Sequence, residues 1–373
     1  MKYLDEFRDA GLARRLIDRI RRTATRPWVL MEVCGGQTHG LLRHGLDEAL
    51  AGVVELIHGP GCPVCVTPAE AIDFACRLSL RPNTVLASFG DMLRVPGGVG
   101  SLNDARSQGG SVRIVYSPLD AVELAAADSQ RQIVFFAVGF ETTLPATALA
   151  VLQAEARGLA NFSVLQAHVR VLPAMEAIVD APDNRVQGFL AAGHVCTITG
   201  YDDYRDLARR CRVPIAVAGF EPVDLLEGIL ECVTQLEQGR CDVSNRYERS
   251  VRREGNPAAQ GHINRVFAIA DRPWRGLGTV PRGGFEFRPD FHAFDARRRY
   301  PDPAPTLPVL DDGDCRSGDV LSGRIRPHEC PSYGVACTPE MPLGAPMVSS
   351  EGACAAYYRY STRRPPLACP LPR

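Results

Sequence analysis

From Trp28 to about Gly239 this chain repeats one pattern: a short apolar run, a turn, then an amphipathic stretch. The apolar runs fall at 28–33, 53–57, 84–88, 112–116, 132–138, 162–167, 187–192 and 214–218. Helical spacing of apolar residues marks 67–80, 119–127, 142–157, 172–180, 202–211 and 222–238. Such alternation predicts parallel sheets joined by crossover helices. A single eight-stranded barrel would use the same pairs. Two related open sheets are favoured because strand ends recur: Ala137-Val-Gly-Phe-Glu141 and Ala216-Val-Ala-Gly-Phe-Glu221 both close on Gly-Phe-Glu. The expected fold class is α/β, with two related open parallel-sheet domains and a C-terminal domain with little regular sheet. The expected boundaries are 1–125, 126–244 and 245–373, the last built of helices and loops.

In open α/β sheets chemistry collects at the carboxyl ends of the strands. The first two apolar runs deliver V-C-G-G-Q-T-H-G at 33–40 and H-G-P-G-C-P-V-C at 58–65. Cys34, Cys62, Cys65 and the neighbouring histidines are thereby expected at one edge of one sheet. Gly59, Pro60 and Gly61 force a turn before Cys62. Thr67, Pro68 and Glu70 read as N-cap, first helical position and capping box. Cys65 would then lie just outside a helix N-terminus, which favours a thiolate. A C-x-x-C at this place is a redox or metal pair by spacing; the bland alternative is two buried structural thiols. Gly35-Gly36 allows a sharp turn that leaves the Cys34 thiolate exposed at the sheet edge. His39, five residues on, is placed to lower a thiol's pKa or relay a proton, against its ordinary reading as a surface or core histidine. Glu141, Thr142 and Thr143, at a strand-to-helix turn, cap a helix or line the same cleft, and both can hold.

A chain of 373 residues that is 45% hydrophobic has enough apolar surface for roughly two or three domains. No apolar run nears the about 18 residues of a membrane span. Met1 to Arg22 alternates charged and apolar residues without a signal-peptide core, and residues 1–25 form an amphipathic pattern with Leu4, Phe7, Leu12, Leu16 and Ile20 on one face. A cytoplasmic protein without a membrane span is expected. There, its 13 cysteines serve as ligands or redox groups in preference to structural disulfides. A net charge of −1 gives no support for a nucleic-acid partner. Lys2 is the only lysine among 42 Lys and Arg residues, which excludes a Walker-A lysine, a Schiff-base lysine and a catalytic ammonium base.

After Gly239 the texture changes. Asn245 to Arg275 reads as helical in part. Residues 274–278 and 281–284 read as loops, Pro301 to Pro308 as a linker, and the tail beyond Tyr360 as disordered or loosely docked. Cys315, Cys330, Cys337 and Cys354 lie in a segment poor in regular structure. A metal site with four thiolates would order it, and such a site takes zinc or an iron–sulfur cluster. The spacing matches neither the zinc-ribbon pairs nor the compact ferredoxin run. His328 is an outlying ligand candidate. Cys76, Cys196, Cys211, Cys232 and Cys241 read as small core residues.

C-G-G-Q-T-H at 34–39, G-P-G-C-P-V-C at 59–65, G-F-E-T-T at 139–143, W-R-G-L-G at 274–278 and S-S-E-G-A-C-A-A-Y-Y-R-Y at 349–360 together resemble the HypD family. This is the family of [NiFe]-hydrogenase maturation proteins, and the likeness runs from about residue 1 to residue 360. The resemblance implies three domains, two of them α/β, with a [4Fe–4S] cluster in the third bound by Cys315, Cys330, Cys337 and Cys354. It implies Cys62 and Cys65 as a redox pair and Cys34 as a group that helps hold a transient iron carrying cyanide and carbon monoxide. It also implies a complex with the chaperone HypC, joined by HypE, on which the Fe(CN)2CO unit is built. The family often has a further cysteine in the stretch that here reads Gly344-Ala-Pro-Met347; its absence leaves the four ligands intact. Three readings follow: a redox-active iron–sulfur scaffold, a zinc-stabilised thiol oxidoreductase acting on protein partners, and an adaptor with a purely structural metal.

Overall fold

A computed structural model describes residues 5–301 and 315–361. Leu4, the linker residues 302–308 and the tail beyond Ser361 lie outside the described residues. The strands, in chain order, are β1 (Trp28–Glu32), β2 (Val54–His58), β3 (Thr84–Ser88), β4 (Val112–Ile114), β5 (Gln132–Gly139), β6 (Phe162–His168), β7 (Gly188–Ala192), β8 (Ile215–Ala218), β9 (Val243–Asn245), β10 (Phe267–Trp274) and β11 (Gly278–Phe287). All eight expected strands are present. They form two open parallel sheets, β2-β1-β7-β8-β9 and β4-β3-β5-β6, so the barrel is not formed. β3, β5, β7 and β8 are nearly continuous apolar runs because they are buried almost throughout, whereas the edge strand β4 is largely exposed.

The sheets partition the chain differently from the expected boundaries at 125 and 244. One compact unit comprises Met1–Cys62, Ala174–Asn256 and Asp314–Arg373; the other comprises Pro63–Pro173 and Pro257–Gly313. β3, assigned from sequence with β4 to the first domain, pairs with β4 on one side and with β5 on the other, whereas β7 enters beside β1. Hydrophobic periodicity locates strands but does not say which strand each one joins.

In the first unit, α1 (Ala10–Thr23) opens at Asp9, whose carboxylate accepts the Leu12 N–H. Its Leu16 and Ile20 join Leu30, Leu56, Leu190 and Ile229 in one core. Each fully buried side chain of this size contributes about 1.5–3 kcal/mol. The helix α2 (Gly35–Arg43) follows β1 directly; the glycine pair reads as a turn in the sequence but opens a helix. Residues 315–361 have little regular sheet, as expected. Their Tyr333, Cys337, Met347, Ala356 and Tyr357 share an apolar cluster with Leu42 at the end of α2.

In the second unit β10 and β11 form an antiparallel hairpin with a register shift between Ala270 and Arg272; residues 275–277, within one expected loop, are its turn, whereas 281–284, read as a loop, lie inside β11. Pro281 is tolerated because it falls in the register irregularity between Val280 and Gly284, where no ladder partner is required of it. The Thr67 cap is also corrected. The helix Ala69–Ser79 starts after Pro68 without a side-chain cap, and the Thr67 hydroxyl donates to the Pro63 carbonyl at 2.9 Å. Cys76, Cys196 and Cys232 are buried as expected, whereas Cys211 and Cys241 are half-buried. No described helix is long and apolar enough to cross a membrane.

Candidate metal and thiol centre

β1 and β2 are adjacent and end in register, Glu32 opposite His58, so both cysteine segments leave one sheet edge. The chain after β2 folds back on β1: Gly59 N–H donates to the Glu32 carbonyl at 2.8 Å, and Gly35 N–H to the Gly61 carbonyl at 2.9 Å. A Cβ on Gly61 would lie 2.3 Å from the Cys34 nitrogen, so only glycine permits this approach. Cys34 is consequently 2% exposed, which overturns the exposed thiolate read from the sequence. Burial pushes its thiol far above the usual range. Its sulfur lies 3.7 Å from His194 Nδ1. His194 stacks on Phe220 at 5.2 Å between ring centroids, and burial lowers it to about 4.

Cys62 and Cys65 are joined by a disulfide, and both are buried. The Cys65 thiolate expected at a helix N-terminus is therefore not present. His39 bonds the Tyr360 hydroxyl at 3.1 Å, with the two rings edge-on at 4.8 Å. The imidazole beside the Cys34 sulfur is thus His194, while His39 ties α2 to the helix Ala353–Tyr360.

Cys315, Cys330, Cys337 and Cys354 line one pocket together with Leu343, Gly344 and Met347. Burial raises the Cys354 thiol, and Cys315, Cys337 and Cys330 raise it further by their charge. The Leu343 N–H donates to Cys337 Sγ at 3.4 Å, and a Cβ on Gly344 would lie 2.3 Å from Cys315 Sγ. Among the described residues no three His, Cys, Asp or Glu groups converge tightly enough to hold a single ion; the four thiols surround a space. Four cysteine sulfurs around an apolar pocket, with the Leu343 N–H directed at one of them, are a donor set that suits an iron–sulfur cluster. His328 lines a separate pocket with Arg326 and Tyr357 and stacks on Tyr357 at 5.8 Å.

Glu141, Thr142 and Thr143 belong to the second unit. Thr143 precedes the helix Leu144–Ala156 but makes no side-chain cap; its hydroxyl meets His168 Nε2 at 3.0 Å. Thr142 is half-buried. Glu141 accepts the Val171 N–H at 3.1 Å, and burial raises its carboxyl to about 7. The folded chain therefore keeps a proton there that the unfolded chain releases at lower pH. Stability from this group falls by up to about 1.4 kcal/mol per pH unit as pH rises through the window from about 4.5 to 7. Glu141→Gln keeps the acceptor and removes the titration. Urea unfolding is expected to show a stability at pH 8 higher by about 3 kcal/mol and little change at pH 5. A variant with the wild-type pH dependence would show that Glu141 is already ionised in the folded chain.

The model of the HypD family, described as the hydrogenase formation hypA family, matches residues 11–361. The chain belongs to the HypD family. The hydrogenase maturation factor HypD of Escherichia coli (strain K12) is 45% identical over 368 residues, 96% of this chain and 98% of its own length. That of Rhodobacter capsulatus is 44% identical over 376 residues, 98% and 99% of the two chains. That of Azotobacter vinelandii is 45% identical over 373 residues, 98% of each. HypD membership assigns this chain to hydrogenase maturation.

Three residues of the HypD-matched span were not singled out in the sequence: Glu32, His58 and His194. Glu32 carried a signal, a lone acid in the apolar run Trp28-Val-Leu-Met-Glu-Val33, where an unpaired charge would be costly. His194 follows a strand-end glycine after β7, but only the β1–β7 pairing reveals that it faces Cys34.

Proposed function

We propose that this chain is a redox-active iron–sulfur scaffold on which the Fe(CN)2CO unit of [NiFe] hydrogenases is assembled, acting in the cytoplasm in a complex with HypC and HypE. The observation that carries this reading is the common pocket of Cys315, Cys330, Cys337 and Cys354. These four would hold a [4Fe–4S] cluster, which supplies one-electron chemistry when bound. Cys62 and Cys65 supply a dithiol–disulfide couple. Cys34 is outside both sets, so its sulfur is available to the iron that is the cargo. A thiolate suits a soft iron carrying cyanide and carbonyl ligands, and one sulfur from this chain leaves coordination positions for a partner's ligand and the diatomics. The nearby His194 and the N-terminal turn of α2 surround that sulfur with groups able to tune it.

Iron, sulfide and zinc analysis of anaerobically purified protein, with an electronic spectrum, tests the reading. A brown protein with about four iron and four sulfide per chain is expected. A colourless zinc protein would replace it with the thiol-oxidoreductase reading. Thiol trapping of the same sample across poised potentials separates the scaffold from a passive adaptor: Cys62 and Cys65 should titrate as a couple, and dithiols that never oxidise would end the redox role.

A further inference from the structure

Glu32 ends β1 with a side chain that has no exposure to solvent. Its Oε2 accepts the Cys34 N–H at 2.8 Å. Its Oε1 accepts the Thr38 hydroxyl from the first turn of α2 and His58 Nδ1 at 2.7 Å. One buried carboxylate thus gathers three donors, from the residue two positions ahead, from the helix behind it, and from the neighbouring strand. His58 opens the loop that leads to Cys62, so the two cysteine-bearing segments converge on a single group. The His58 ring also packs edge-on against Tyr357 at 5.2 Å, three residues after Cys354. His58 Nε2 makes no hydrogen bond; the ring is held through Nδ1 and by packing.

We infer that Glu32 is the positioning residue of the Cys34 centre, with His58 as its orienting partner. This rests on the proposal that Cys34 holds the cargo iron, and it adds what fixes the geometry of that ligand. A carboxylate is required because all three neighbours donate. An amide offers one oxygen and would turn its own N–H groups on the Cys34 N–H or on the Thr38 and His58 side. A buried donor left without an acceptor is the costly outcome, and the chain would relieve it by letting the start of α2 move. The carboxylate also explains why a strand otherwise made of Trp, Val, Leu and Met ends in an acid. Packing alone would be served by another apolar residue.

The test uses the full chain, unreduced, so that the Cys62–Cys65 disulfide is protected, with alkylation of Cys34 by iodoacetamide followed by peptide mass analysis. Glu32→Gln is expected to label Cys34 about tenfold faster or more, because one lost buried hydrogen bond opens the segment. His58→Leu is expected to do the same. His58→Asn, whose side-chain amide nitrogen can occupy the place of Nδ1, is expected to restore the slow rate. That rescue separates positioning from a general loosening of the fold, and the His58 pair decides the matter even if Glu32→Gln does not fold. Wild-type labelling rates in Glu32→Gln, or equal rates in His58→Leu and His58→Asn, would overturn the assignment. Labelling is read on chain purified alone whose infrared spectrum shows no cyanide or carbonyl bands, because a metal-bound sulfur resists alkylation; this outcome is then independent of whether Cys34 is an iron ligand. That question is answered by Cys34→Ala.

Discussion

Cys34→Ala is expected to reduce hydrogenase maturation to background in cells lacking their own copy of this protein, while the purified variant keeps its fold and its iron and sulfide content. The two halves of this expectation come from separate observations. Cys34 is a small buried side chain at the N-cap of α2, and removing one sulfur atom there costs on the order of 1 kcal/mol. The sulfur makes no side-chain cap hydrogen bond, and Glu32 holds the backbone N–H and remains. The four cysteines of the C-terminal segment line their own pocket and are untouched. What is lost is the one thiol next to His194 that belongs to neither the disulfide nor that pocket. Hydrogenase activity close to wild type in the variant would remove Cys34 from the chemistry.

Replacing any one of Cys315, Cys330, Cys337 or Cys354 by alanine is expected to lose the bound iron and to make residues 315–361 sensitive to protease. The segment contains only short helices separated by turns, and its apolar cluster includes Cys330, Cys337 and Cys354 themselves. If a cluster joins these sulfurs, as proposed, the segment's order leans on it. Structural metal sites contribute about 10–16 kcal/mol in the smallest domains, more than the few kcal/mol such a cluster of side chains supplies. Half-buried Cys211 is the control: Cys211→Ala should keep full iron and full resistance. Four single variants that all retain both would show that these thiols are not the ligands.

The eight principal strands were legible because each is an apolar run that stops at a turn. Their pairing was not. Nothing in the residues of β7 says that it lies beside β1, and so the two-unit partition and the approach of His194 to Cys34 were both hidden. Local turn chemistry misled at Gly35-Gly36, where helix formation and close packing explain the glycines, and at Thr67, whose hydroxyl is taken by the preceding turn. The grouping of the cysteines was legible from their spacing: Cys62 and Cys65 are paired, and the four C-terminal cysteines line one pocket. Their burial was not, because exposure depends on what the returning chain places above them. Glu32 shows the same division: an acid in an apolar strand announces a partner, but the register with His58 identifies it.

The most direct measurement is the infrared spectrum of this chain purified anaerobically in the proposed complex with HypC, beside the same complex carrying Cys34→Ala. Bands of iron-bound cyanide and carbon monoxide are expected in the wild-type complex and are expected to vanish in the variant, with the visible absorbance of the cluster unchanged. Bands of equal intensity in both complexes would contradict the role of Cys34. Their absence from a wild-type complex that supports maturation would contradict assembly of the iron unit on this chain.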